Sequence, residues 1–129
     1  MKPKTIQAII INTDEKTLYS ANIKNDLKTF YAVLKCSCIT IVTRNFNGQA
    51  IDIICDDEGL LDHEKASRTA IITTDKKGKT VLEQIVGNCI LCGHDDEGEA
   101  VSLTDKQMKA VSNCLFQFHN GQLGLIASI

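Results

Sequence analysis

The chain has 129 residues, 43% hydrophobic and 23% charged, with a formal net charge of −2. That is the composition of one globular domain, not of a linker, a disordered tail or a collagen-like repeat, and no apolar run reaches the roughly 18 residues of a membrane-spanning helix. Residues 1–51 carry seven basic and three acidic side chains against seven and thirteen in the remainder, but with two arginines in all and no basic cluster interleaved with aromatics there is no nucleic-acid signature.

The stretch Thr5 to Ile11 is rich in β-branched residues and reads as a strand. Turn chemistry at Asn12-Thr13-Asp14-Glu15-Lys16 leads into a partner strand, Thr17 to Ile23, so an N-terminal hairpin is expected. Asn25 or Asp26 can cap a helix over 26–35, in which Leu27, Phe30, Tyr31 and Leu34 share one face. Cys36 to Arg44 and Gln49 to Cys55 are the clearest strands, joined by Asn45-Phe46-Asn47-Gly48, where Asn-Gly supplies the positive-φ pair of a type I′ turn. Both faces of the first of these strands are apolar, which predicts a central place in the sheet.

After Asp56-Asp57-Glu58-Gly59 the stretch from Leu60 to Arg68 reads as an irregular connection or a short helical turn. Thr69 to Thr73 is a short strand and Asp75-Lys76-Lys77-Gly78 its turn. The stretch from Thr80 to Val86 fits a strand or a helical turn, Gly87-Asn88 breaks it, and Asn88 to Cys92 reads as another strand closed by Asp95-Asp96-Glu97-Gly98. Thr104 with Gln107 makes a capping box for a last helix, whose apolar face runs through Met108, Val111, Leu115 and Phe118 and stops at Asn120-Gly121. The apolar tail from Leu123 to Ile129 should dock on the body or on a partner. This order predicts an α+β fold, a mostly antiparallel twisted sheet of about five to six strands with two main helices packed on it. The domain divides into an N-terminal hairpin extension (1–24), a core (25–119) and the tail (120–129).

Six cysteines are present, Cys36, Cys38, Cys55, Cys89, Cys92 and Cys114. The opening residues lack the small-residue cleavage site of an export signal, so a cytoplasmic location with reduced, mostly buried thiols is expected. Cys89-Ile90-Leu91-Cys92-Gly93-His94 holds a Cys-x-x-Cys followed by His, and Cys36 and Cys38 complete a soft donor set for tetrahedral zinc. Against that, an Ile-Leu spacer makes a strand, on which Cys89 and Cys92 point to opposite faces while Cys36 and Cys38 share one. Structural thiols are therefore the preferred reading of Cys36, Cys38, Cys89 and Cys92; these four and His94 are the candidate zinc ligands, and neither metal nor cofactor is assigned. A thioredoxin-type redox pair would need a helix start after Cys89, and none follows. The two acidic turns would hold a divalent cation if they faced one another, but Asp and Gly are what turns require and their tips stay solvated. His63 with Glu64, and His119, stand isolated, and there is no P-loop, dinucleotide fingerprint or nucleophile motif.

The run from Lys35 to Leu61, Lys-Cys-Ser-Cys-Ile-Thr-Ile-Val-Thr-Arg followed by Ile-Asp-Ile-Ile-Cys-Asp-Asp-Glu-Gly-Leu-Leu, is joined later by Ile85-Val86-Gly87-Asn88-Cys89-Ile90-Leu91 and by Ser102-Leu103-Thr104-Asp105. Together these segments resemble a bacterial and phage family, DUF3846, a domain of unknown function. Its hallmarks are a helix entering a strand, an acidic-Gly turn, a Val-Gly strand opener and a Ser-Leu-Thr-acid helix start. The resemblance spans about residues 23–112, with the first hairpin and the tail outside it. It implies an accessory protein of bacteria or of mobile elements and transfers no catalytic or binding residue. The expected function is a non-catalytic protein-interaction module with an unknown protein partner, in which the tail offers a route to a homodimer. The alternatives are a small-molecule-binding domain or minor enzyme, and a zinc module using Cys36, Cys38, Cys89 and Cys92.

Overall fold

A computed structural model describes residues 4–57, 68–73, 81–120 and 125–128. Strands β1 (Thr5–Asn12) and β2 (Thr17–Lys24) form the expected hairpin, paired through every residue from Thr5↔Lys24 to Asn12↔Thr17. Helix α1 (Leu27–Leu34) starts where Asp26 accepts the Thr29 N–H at 2.7 Å and ends at Lys35 in the left-handed region. Strands β3 (Ile39–Phe46) and β4 (Gln49–Asp56) follow, turning at Asn47 (φ 50°) and Gly48 (φ 94°), the backbone the Asn-Gly pair predicts. Then come β5 (Arg68–Thr73), β6 (Val81–Val86), β7 (Cys89–His94), β8 (Ala100–Val101), helix α2 (Asp105–Ser112), β9 (Leu115–Asn120) and β10 (Leu125–Ser128).

The fold is α+β, as expected. One antiparallel sheet runs β2-β1-β7-β4-β3, with β8 continuing against β7 at Gly93 and His94. Its central strands are apolar on both faces because both are covered. Ile9, Ile11, Ile51, Ile53, Cys89 and Leu91 face a second layer that supplies Ile72, Ile85, Phe116 and Phe118 together with Ala110 and Val111 of α2. Ile6, Ala8, Ile10, Ile54, Ile90 and Cys92 face α1 through Phe30 and Leu34. The second layer is a four-stranded antiparallel sheet, β10-β9-β5-β6, which the sequence reading does not anticipate.

Several expectations need correction. The last helix stops at Ser112 instead of running to residue 118. From Leu115 the chain is the strand β9, because Phe116 and Phe118 recur with period two and are both buried in the core. The ambiguous stretch before Gly87 is the strand β6. Strand β3 lies at the sheet edge, not its centre, and its Ile41 is 52% exposed. On α1 the apolar stripe is narrower than its spacing suggests, since Leu27 is 54% exposed. The tail docks on the body as β10, paired to β9. The readings for residues 60–67 and for the turn at 75–78 lie outside the described residues, as does the Gly121 stop.

Long-range hydrogen bonds tie the layers together. Asn88, at the start of β7, accepts the Thr13 N–H at 2.9 Å and the Thr13 hydroxyl at 3.3 Å, and its Nδ2 donates to the Val33 carbonyl at 3.3 Å. The β1–β2 turn, the β6–β7 turn and the end of α1 thus meet on one side chain. Gly87 (φ 78°) provides the left-handed backbone that brings Asn88 there. Thr104 and Gln107 form the expected capping box of α2, and the Gln107 amide also donates to the Ala50 carbonyl at 3.0 Å. Among the described residues no helix is long and apolar enough to cross a membrane.

Candidate functional site

None of the six cysteines is in a disulfide. Cys89 and Cys92 lie on opposite faces of β7, Cys89 toward the second sheet and Cys92 toward α1, as strand geometry predicts for positions i and i+3. Cys36 and Cys38 precede β3 rather than sharing one of its faces. The Cys36 N–H donates to the Tyr31 carbonyl at the end of α1, and the exposed Cys38 accepts the Asp57 N–H on its carbonyl. Among the described residues no group of three or more His, Cys, Asp or Glu is placed to hold a metal ion. Of the first acidic turn, Asp56 and Asp57 are described, while Glu58 and Gly59 lie outside the described residues, and Asp56 stands far from the second turn. Because β4 and β7 are antiparallel, with Cys55 opposite Cys89, Asp56 stands beside the start of β7 while Asp95 follows its end. The length of a six-residue strand, roughly 20 Å, separates them. Asp95 is instead a turn builder, accepting the N–H groups of Glu97 and Glu99, each at 2.9 Å. His63 and Glu64 lie outside the described residues, and His119 falls on β9.

Register assembles one polar row that the sequence reading missed. Asp52 is 6% exposed in the middle of β4. It stands opposite Thr43 on β3 and opposite Cys92 on β7. The Thr43 hydroxyl donates to Asp52 Oδ1 at 2.7 Å, and His94 Nδ1 lies 3.0 Å from the same oxygen. An exposed imidazole is thereby oriented by a buried carboxylate, the outer half of an acid–base relay. The groups beside it are poor nucleophiles. The Thr43 hydroxyl proton is committed to Asp52, and burial, with the Asp52 charge second, pushes the Cys92 thiol up to about 12, so it stays neutral. Burial also raises the Cys114 thiol. The one advance signal was an Asp inside the apolar run Ile51-Asp52-Ile53-Ile54, since a buried carboxylate needs partners.

A second feature lies on the other face of the sheet. Ile9, Leu18 and Ser20 of the β1–β2 hairpin and Met108, Val111 and Ser112 of α2 line an open apolar hollow of about 190 Å³, with Tyr19 at its margin. Strand β2 is an edge of the six-stranded sheet, so the hollow opens beside a row of backbone groups that has no neighbouring strand among the described residues. Tyr19, opposite Ile10, lies on the α1 face of the strand and is 48% exposed. The volume falls short of the roughly 300–1,000 Å³ of pockets that enclose a whole small molecule, and it suits an apolar side chain.

A family model for a domain of unknown function (DUF3846) matches residues 6–115. The match begins within β1, so the first hairpin, expected to extend beyond the family core, is part of it, in keeping with the place of β1 between β2 and β7. No curated protein and no solved structure matches the chain. With its sheet, both helices and the polar row inside the matched region, the chain belongs to the DUF3846 family.

Proposed function

We propose that the chain is a non-catalytic, cytoplasmic protein-interaction module, of the accessory kind that bacteria and mobile elements carry. It takes an extended segment of a partner protein along the open edge of β2. The observation that carries this reading is the apolar hollow between the β1–β2 hairpin and α2, which opens at that edge. Main-chain hydrogen bonds to a sheet edge give affinity, and a side-chain pocket beside the edge gives specificity. The neutral thiol and the committed hydroxyl around His94 support a binding role over an acid–base one.

The test is to select binders from a random linear-peptide library against the purified protein and map them by amide exchange. Binders should carry an apolar anchor and protect residues 17–24. Replacing the exposed rim residue Ser112→Arg should weaken them about tenfold or more, the worth of burying one apolar side chain. Binders whose protection falls elsewhere, or which ignore Ser112→Arg, would refute the reading. Light scattering on the protein alone examines the other partner, a second copy joined through the C-terminal tail. A dimer that dissociates when residues 121–129 are removed would favour pairing of two copies along β10.

A further inference from the structure

The Cys-x-x-Cys motif draws attention to Cys89 and Cys92, but the fold pairs Cys89 with another residue. Cys55 on β4 and Cys89 on β7 are direct cross-strand partners. Direct partners project from the same face of a sheet, and both side chains border the core between the two sheets. Opposed residues of an antiparallel pair have Cα atoms about 4.5–5.5 Å apart, within the roughly 4.4–6.8 Å that a disulfide spans. Exposure differs usefully between the two. Cys55 is half-buried, whereas Cys89 is fully buried and shielded from any reagent arriving alone.

We propose that Cys55 and Cys89 form a dithiol–disulfide pair, a modification site for small-molecule disulfides. The Cys55 thiolate attacks one sulfur of the reagent disulfide and expels one thiolate, leaving a mixed disulfide on Cys55. The Cys89 thiol then gives up its proton and attacks the Cys55 sulfur, expelling the second thiolate. The two protein thiols lose two electrons and two protons in total, and the reagent is reduced to two thiols. The new bond joins β4 to β7 at the two roots of residues 56–88, the segment that carries β5 and β6. Oxidation therefore fastens the centre of the larger sheet beneath its partner layer.

Oxidised glutathione is the probe, applied to the folded full-length chain carrying Cys38→Ser so that the exposed Cys38 does not compete. After acid quenching, the remaining thiols are blocked with a maleimide in denaturant and the intact mass is read. The expected product has two fewer reactive thiols than the reduced protein, no retained glutathione, and a proteolytic peptide pair linking Cys55 to Cys89. In Cys89→Ala the resolving thiol is gone, and one glutathione should stay on Cys55. Should that variant fail to fold, Cys55→Ala serves instead, and it should form no link and leave Cys89 unmodified. Full thiol reactivity, glutathione persisting on Cys55 of the parent, a link between other cysteines, or a link that forms only in denaturant would each overturn the proposal.

Discussion

Replacing Asn88 by alanine should be among the most damaging single changes in this chain. The side chain is 5% exposed, and its two hydrogen bonds to Thr13 and one to Val33 join segments far apart in sequence. Asn88→Ala removes an acceptor from a buried N–H and a buried hydroxyl, and a donor from a carbonyl. Each bond contributes about 0.5–1.5 kcal/mol net, and an orphaned buried group adds its desolvation penalty, so the expected loss is about 3 kcal/mol. Against a typical total of about 5–15 kcal/mol this is a large fraction, and it lowers the melting midpoint by about 10 °C. Urea denaturation of wild type and variant, followed by circular dichroism, measures it. A second variant isolates the donor. Asn88→Asp keeps volume and one acceptor but turns an oxygen toward the Val33 carbonyl, which holds the new carboxyl above its unfolded value. Folding then favours the protonated form, so the defect is smallest below about pH 4 and grows as pH rises through the folded value. A loss under about 1 kcal/mol for Asn88→Ala, or a defect in Asn88→Asp that ignores pH, would refute the argument.

Two further predictions concern α2 and the polar row. Thr104→Ala breaks the capping box and should cost about 1 kcal/mol, with Thr104→Ser close to wild type; equal urea midpoints for all three would count against the cap as a stabilising element. Cys92 ionises near 9.0 when unfolded but only near 12 in the fold, so the folded state holds its proton longer. Its contribution is fully present below about pH 9 and falls by about 1.4 kcal/mol per pH unit as pH rises toward 12. The stability gap between wild type and Cys92→Ala should narrow accordingly between pH 8 and 11, and a constant gap would contradict the buried neutral thiol.

Elements whose instructions are local were legible in the sequence. Asp26 followed by an apolar helical stripe specified α1, Asn47-Gly48 specified the β3–β4 turn, and Thr104 with Gln107 specified the start of α2. The end of α2 was not legible, because Met108, Val111, Leu115 and Phe118 fit a helical face equally well in one dimension. Only burial of Phe116 and Phe118 against the larger sheet decides for a strand. The functional features were hidden for a related reason. Asp52 meets His94 and Cys55 meets Cys89 solely through strand register, and the hollow exists only once α2 lies across the first hairpin. Adjacency along the chain pointed to Cys89 with Cys92, which the pleat drives apart.

The strand order also sets a schedule for folding. Strand β5 pairs with β6 on one side and with β9 on the other, so it leaves the ribosome long before its second neighbour. The six-stranded sheet has all of its five main strands by His94, and α1 already covers one face. Completion of the cover on its other face must wait for Phe116 and Phe118, which arrive near the end of synthesis. Such non-local pairing belongs to the slower, high-contact-order class of topologies. A nascent chain paused before residue 115 presents the aliphatic residues of β1, β4 and β7 without the part of their cover that Phe116 and Phe118 supply, and that interval is when it most needs a chaperone.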